Sequence, residues 1–123
     1  MNRIVRIEME NGDVMRAELY PDVAPSTVEN FVRLVESGFY DGTEFHRIIP
    51  GFMIQGGAGV NGSAAMPIAG EFTENGFRND LAHDRGVLSM ARTSDPNSAS
   101  SQFFIMVDKA PHLDGKYAAF GKV

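Results

Sequence analysis

The run Phe45-His46-Arg47-Ile48-Ile49-Pro50-Gly51-Phe52-Met53-Ile54-Gln55-Gly56-Gly57 constrains this chain more than any other stretch. Pro50-Gly51 cuts an otherwise apolar segment, and such a dipeptide makes a turn instead of extending regular structure. The run therefore predicts two short strands folded back on each other. Strand alternation places Phe45, Arg47 and Ile49 on one face, with His46 and Ile48 on the other. Burying an unpaired guanidinium is costly. Arg47 has no acid within this run, so it either borders a groove whose ligand supplies the acceptor or reaches solvent from a strand edge. Phe52, Met53 and Gln55 weigh toward the groove, as an apolar floor with a second polar anchor.

Turn signals and short apolar runs recur on both sides. Residues 4–9 and 14–20 alternate, and Asn11-Gly12 between them favours a hairpin turn with positive φ. Pro21 and Pro25 end the second strand. Ser26-Thr27-Val28-Glu29 has the capping-box pattern, and Val28, Phe31, Val32 and Val35 follow at helical spacing. A helix is predicted over 27–37, closed by Gly38, with its apolar stripe packed on the core. Residues 56–70, rich in Gly, Ala and Ser, predict a loop, as do 93–101 around Pro96. Phe72 and Phe77 flank an Asn75-Gly76 turn. Further strands are expected over 87–90, 103–107 and 118–123. Many short strands with one helix and no repeat or linker predict a single β-sandwich or barrel domain spanning 1–123.

Composition removes several function classes. A chain of 123 residues with 43% hydrophobic content supports one domain with one core. Eleven basic against sixteen acidic residues give a formal charge of −5, which argues against a nucleic-acid or anionic-membrane surface. Cys is absent, so no disulfide, thiolate metal site or cysteine nucleophile is available. Residues 1–10 mix charged and apolar side chains without a continuous apolar stretch. Neither a secretory leader nor a membrane span is expected, and the default expectation is a cytoplasmic protein. Of the histidines, His46 is expected in a hydrogen-bonded core position and His83 in a solvated loop over 79–85. Their scatter makes metal binding improbable.

The 45–57 run closely resembles the signature of cyclophilin-type peptidyl-prolyl cis-trans isomerases. The resemblance extends, in order, to Gly86-Val87-Leu88-Ser89-Met90-Ala91, to Ser101-Gln102-Phe103-Phe104-Ile105, and to the final run from Leu113-Asp114-Gly115-Lys116-Tyr117 through Val123. It implies an all-β fold, an antiparallel barrel with a capping helix. It also implies a rotamase without cofactor that assists protein folding, with proline-containing peptides and unfolded proteins as partners. Rotation about an Xaa-Pro bond breaks no covalent bond, so the absence of a nucleophile-and-base arrangement is no objection. By resemblance, Arg47 is the catalytic donor. Phe52, Met53, Phe104 and Leu113 line the proline pocket, and Gln55 and Gln102 hold the peptide backbone. Taken singly, Phe52 and Phe104 fit plain core aromatics, Met53 a gap filler and Gln55 a strand cap.

The chain also departs from the pattern. His112 stands where many members carry Trp, and Trp is absent altogether. The loss of that indole implies weak or no binding of cyclosporin. Tyr117 replaces a common His, still able to close the pocket, and Arg92 replaces a common Asn. Ala91 and Arg92 are retained as peptide-binding positions because the family uses mainly backbone groups there. Familiar members continue past Phe120-Gly121-Lys122-Val123 into a helix and a last strand, so the expected barrel is one whose closure at the C-terminal end is in question. A noncatalytic proline-peptide binding module and an inactive fragment are the competing expectations.

Overall fold

The computed structural model describes residues 2–60 and 65–123. Strands Arg3–Glu8 (β1) and Val14–Leu19 (β2) pair in antiparallel register, from Arg3 opposite Leu19 to Glu8 opposite Val14. Their turn has the expected chemistry: Gly12 adopts φ 91°, and the Asp13 amide donates to Asn11 Oδ1 at 2.9 Å. Alternation turns Val5, Ala17 and Leu19 inward, all buried, and leaves Ile4 70% exposed.

The helix Pro25–Glu36 (α1) starts two residues before the expected position and lacks the expected capping box. Its N-cap is Ala24, which makes no side-chain bond, and Pro25 opens the first turn, where a missing N–H costs nothing. The buried carboxylate of Glu71 supplies the cap from far along the chain. It accepts from the Thr27 amide at 2.6 Å, the Thr27 hydroxyl at 2.7 Å and the Ser26 amide at 3.2 Å. The positive end of the helix dipole favours an anion there. The stripe Val28, Phe31, Val32 does pack on the core, and Phe31 meets Phe103 edge-on at 5.1 Å.

Among the described residues the remaining strands are Arg47–Ile49 (β3), Met53–Gly56 (β4), Val87–Met90 (β5), Phe103–Met106 (β6) and Ala119–Lys122 (β7). All seven form one antiparallel sheet in the order β1-β2-β7-β5-β6-β4-β3, curled into a half-barrel that is open between its margins β1 and β3. The first hairpin joins the rest through two pairs, Glu18 opposite Lys122 and Leu19 opposite Gly121. Gly121 is required there, because a Cβ would lie 2.7 Å from the Glu18 carbonyl oxygen.

Every residue of β5 and β6 is buried, because both faces of the central sheet are covered. Phe103, Ile105, Leu88 and Met90 join the core under α1. Phe104, Met106 and Val87 join a second cluster with Met53, Leu113 and Ala119 on the opposite face. That second face carries the candidate site.

Three expectations are corrected. Phe45 precedes β3 and escapes its alternation: it turns into the α1-side core against Phe103 at 6.1 Å, away from Ile49, which packs on the second cluster. His46 is exposed and is no core residue. His83 is not solvated: the loop 79–85 exposes Asp80, Asp84 and Arg85 but buries Asn79 and His83. Asn79 Nδ2 bridges the carbonyls of Glu71 and Ala119, both at 2.9 Å. Of the predicted 56–70 loop, Gly56 ends β4, 57–60 and 65–70 hold no strand, and 61–64 lie outside the described residues. Among the described residues, no helix is long and apolar enough to cross a membrane.

Candidate active site

The hairpin turn at Pro50-Gly51 closes as expected, with the Phe52 amide donating to the Ile49 carbonyl at 3.0 Å. It fixes a register in which Arg47 lies opposite Gln55. Gln55 in turn lies opposite Phe104, and Phe104 opposite Ser89. Directly opposed residues of neighbouring strands point to the same face. The pairing therefore lays Arg47, Gln55, Phe104 and Ser89 in one row across β3, β4, β6 and β5. No local spacing reveals such a row; only the strand order assembles it.

A hollow of about 210 Å³ opens over this row. Phe52, Met53, Phe104 and Leu113 give it an apolar lining, with Arg47, Gln55, Ala91, Arg92 and Tyr117 around them. Nine of the eleven candidate residues thus share one cavity. Gln102 and His112 are not in its lining, but each touches a residue that is. Gln102 Oε1 accepts from Gln55 Nε2 at 3.1 Å, fixing which way that amide faces. His112 stacks on Phe52 with centroids 5.9 Å apart and planes 24° apart. Tyr117 stands edge-on to Phe104 at 5.6 Å. Leu113 is delivered by the short 3-10 turn Pro111–Leu113.

Among the described residues the Arg47 side chain makes no hydrogen bond or ion pair, and it is exposed at the rim of the hollow. All its donors are open to a ligand. Both alternatives read from the sequence meet here, because the guanidinium reaches solvent and borders the groove. Arg92 is the opposite case. Its guanidinium lies between the Phe72 and Tyr117 rings, 4.8 and 4.7 Å from their centroids. Nε and Nη2 donate to the Lys116 carbonyl at 3.1 and 2.6 Å, and Nη1 donates to the Thr93 carbonyl at 2.9 Å.

Beneath the hollow lies a polar chain that the sequence did not announce. Asp114 Oδ1 accepts from His83 Nδ1 at 3.0 Å and from the His83 amide at 2.7 Å. His83 Nε2 lies 2.8 Å from Ser89 Oγ. A carboxylate can only accept, so Nδ1 carries the proton and Nε2 accepts from the Ser89 hydroxyl. Burial pushes the His83 pKa below its ordinary value, and the Asp114 hydrogen bond opposes that shift. The trio has the residue types of a nucleophilic triad, yet Ser89 is fully buried behind Phe104 and is absent from the hollow's lining. It is a support for the floor. Ser89 and Asp114 sit inside the motifs that carry the resemblance, and the one hydroxyl in the apolar run Val87-Leu88-Ser89-Met90 is the available signal.

The family model described as "Cyclophilin type peptidyl-prolyl cis-trans isomerase/CLD" matches residues 4–123. This chain belongs to the cyclophilin-type peptidyl-prolyl cis-trans isomerases. It is 47% identical over 121 residues to a peptidyl-prolyl cis-trans isomerase of Arabidopsis thaliana, covering 97% of this chain and 74% of that protein. The crystal structure of a cyclophilin from Hirschia baltica superposes with a TM-score of 0.86 at 32% identity, over 98% of this chain and 63% of that one. A cyclophilin-type isomerase of Cryptosporidium parvum gives 0.86 at 36% identity, over 99% and 77%. The same protein was also solved in the presence of the dipeptide Ala-Pro, where the TM-score is 0.79. The expected cyclophilin fold is thus the observed one, with the half-barrel open.

Proposed function

We propose that this cyclophilin accelerates rotation about Xaa-Pro bonds in unfolded or flexible protein segments, with Arg47 as the catalytic donor. The carrying observation is the row Arg47, Gln55, Phe104, which sets an unengaged guanidinium and a backbone-type amide over an apolar floor. In the planar imide the nitrogen lone pair is delocalised. In the twisted state it localises and accepts a hydrogen bond, which Arg47 offers. The ring rests on Phe52, Met53, Phe104 and Leu113, whose apolar surface favours the less polar twisted state. Gln55, held by Gln102, takes a backbone group of the peptide. Ala91 and Arg92 flank it, and Tyr117 and His112 close the aromatic side.

The magnitudes are consistent. Uncatalysed rotation faces ~18–20 kcal/mol. Removing about 7 kcal/mol accelerates it roughly 100,000-fold. One preorganised charged donor supplies about 3–4 kcal/mol, and holding the peptide on both sides of the proline contributes the rest. A noncatalytic proline-binding module would need the same hollow but not an open guanidinium at its rim. Exchange NMR on a short Ala-Pro peptide decides between them. Catalysed cis–trans exchange at substoichiometric protein is expected; shift changes without exchange would identify a binder, and neither would identify an inactive fragment.

A further inference from the structure

The chain carries a net −5, yet the nine residues lining the hollow include two guanidiniums and no carboxylate. The local sign is opposite to the global one. Arg92 is also held in a way that keeps its charge uncompensated. It lies over the Phe72 and Tyr117 rings, and among the described residues its three hydrogen bonds end on two neutral carbonyl oxygens. A guanidinium has five N–H donors. Three are taken here, which leaves one on each terminal nitrogen. Asp114, two residues before Lys116, accepts from His83 and makes no hydrogen bond or ion pair with Arg92. A fork this rigid loses little freedom when an anion docks on it.

We propose that Arg92 is a specificity residue that gives this isomerase a preference for an anionic residue adjacent to the proline. The inference rests on the isomerase reading above and deepens it to a substrate class: acidic or phosphorylated Xaa-Pro segments. Arg47, on the same lining, adds to the field, while Arg92 provides the fixed donors.

The test measures kcat/KM and Kd for four tetrapeptides, Ala-Xaa-Pro-Ala, with Glu, phosphoserine, Ala or Lys at Xaa, together with Ala-Ala-Pro-Glu. A partly exposed ion pair predicts that an anionic peptide exceeds the Lys peptide about three- to fivefold at low salt. The ratio should shrink toward one at high ionic strength. Arg92→Gln should bring the ratio most of the way toward one at low salt, with only the contribution of the Arg47 field left, whereas Arg92→Lys should retain more of it. A residue that merely staples Tyr117 in place would change all the peptides together and leave the ratio unmoved. Either anion ahead supports the inference and names its source. Equal values across the series, or a ratio unchanged in Arg92→Gln, overturn it. If no peptide is accelerated but the anionic ones still bind tightest, the isomerase reading fails and the anion preference stands.

Discussion

The imidazole of His83 lies nearly parallel to the ring of Phe104, 20° apart in plane and 6.1 Å between centroids. The floor of the hollow is therefore a two-layer stack whose lower layer is a titratable group. Burial keeps His83 neutral at pH 7. The unfolded chain takes up its proton near pH 6.5, at about the ordinary histidine value. Between that value and the lowered folded-state value, the unfolded state binds more protons, so stability falls as pH drops below about 6.5 and levels off once the folded form also protonates. Denaturant melts between pH 8 and 5 should show this decline. His83→Gln should cost about 1–3 kcal/mol at pH 8, and its melts should lack that segment of pH dependence. Identical pH profiles for the two proteins would rule His83 out as the source.

Arg47→Ala should lower kcat/KM about 100- to 1000-fold, the scale for losing one preorganised donor. Its unfolding midpoint should stay within experimental error, because the side chain is exposed and makes no ion pair among the described residues. Arg47→Lys keeps the charge without the fork and should fall in between. Turnover unchanged in Arg47→Ala would remove this residue from the mechanism.

Glu71→Ala strips the acceptor from two helix amides and the Thr27 hydroxyl at once. A loss of about 2 kcal/mol in urea unfolding is expected. Because α1 covers the face opposite the hollow, the isomerase rate per folded molecule should change little.

His112 offers Phe52 a smaller apolar face than an indole would. Cyclosporin should accordingly inhibit only weakly, with a constant well above nanomolar. His112→Trp should tighten inhibition tenfold or more. Nanomolar inhibition of the unmodified protein would show that the indole contact is dispensable here.

Turns and strands were legible because their causes are local. Asn11-Gly12 and Pro50-Gly51 set turn geometry within a few residues, and the strand limits agree to one or two positions. The helix starts before the position its local pattern predicts because its cap, Glu71, comes from 45 residues away from Ser26 and leaves no mark near Ser26. His83 departs from its expected setting for a related reason: charged neighbours Asp80, Asp84 and Arg85 suggest solvent, but Asp114 and Ser89 reach it only in the folded chain. The candidate residues could be named from motifs, whereas their common row could not, since it depends on β4 lying beside β6 and β6 beside β5.

The two-pair junction at Glu18 and Leu19 has a mechanical consequence. Apart from the apolar face packed on the core, it leaves the first hairpin a flap hydrogen-bonded to the rest of the sheet at one corner, while the row that bears the site runs through strands on the far side of that corner. Peeling the flap would uncover Val5 and Ala17 but sever no hydrogen bond among β3, β4, β6 and β5. Amide exchange should accordingly spread from residues 3–17 well before it reaches 103–106, so the molecule can loosen at one end while the hollow keeps its shape.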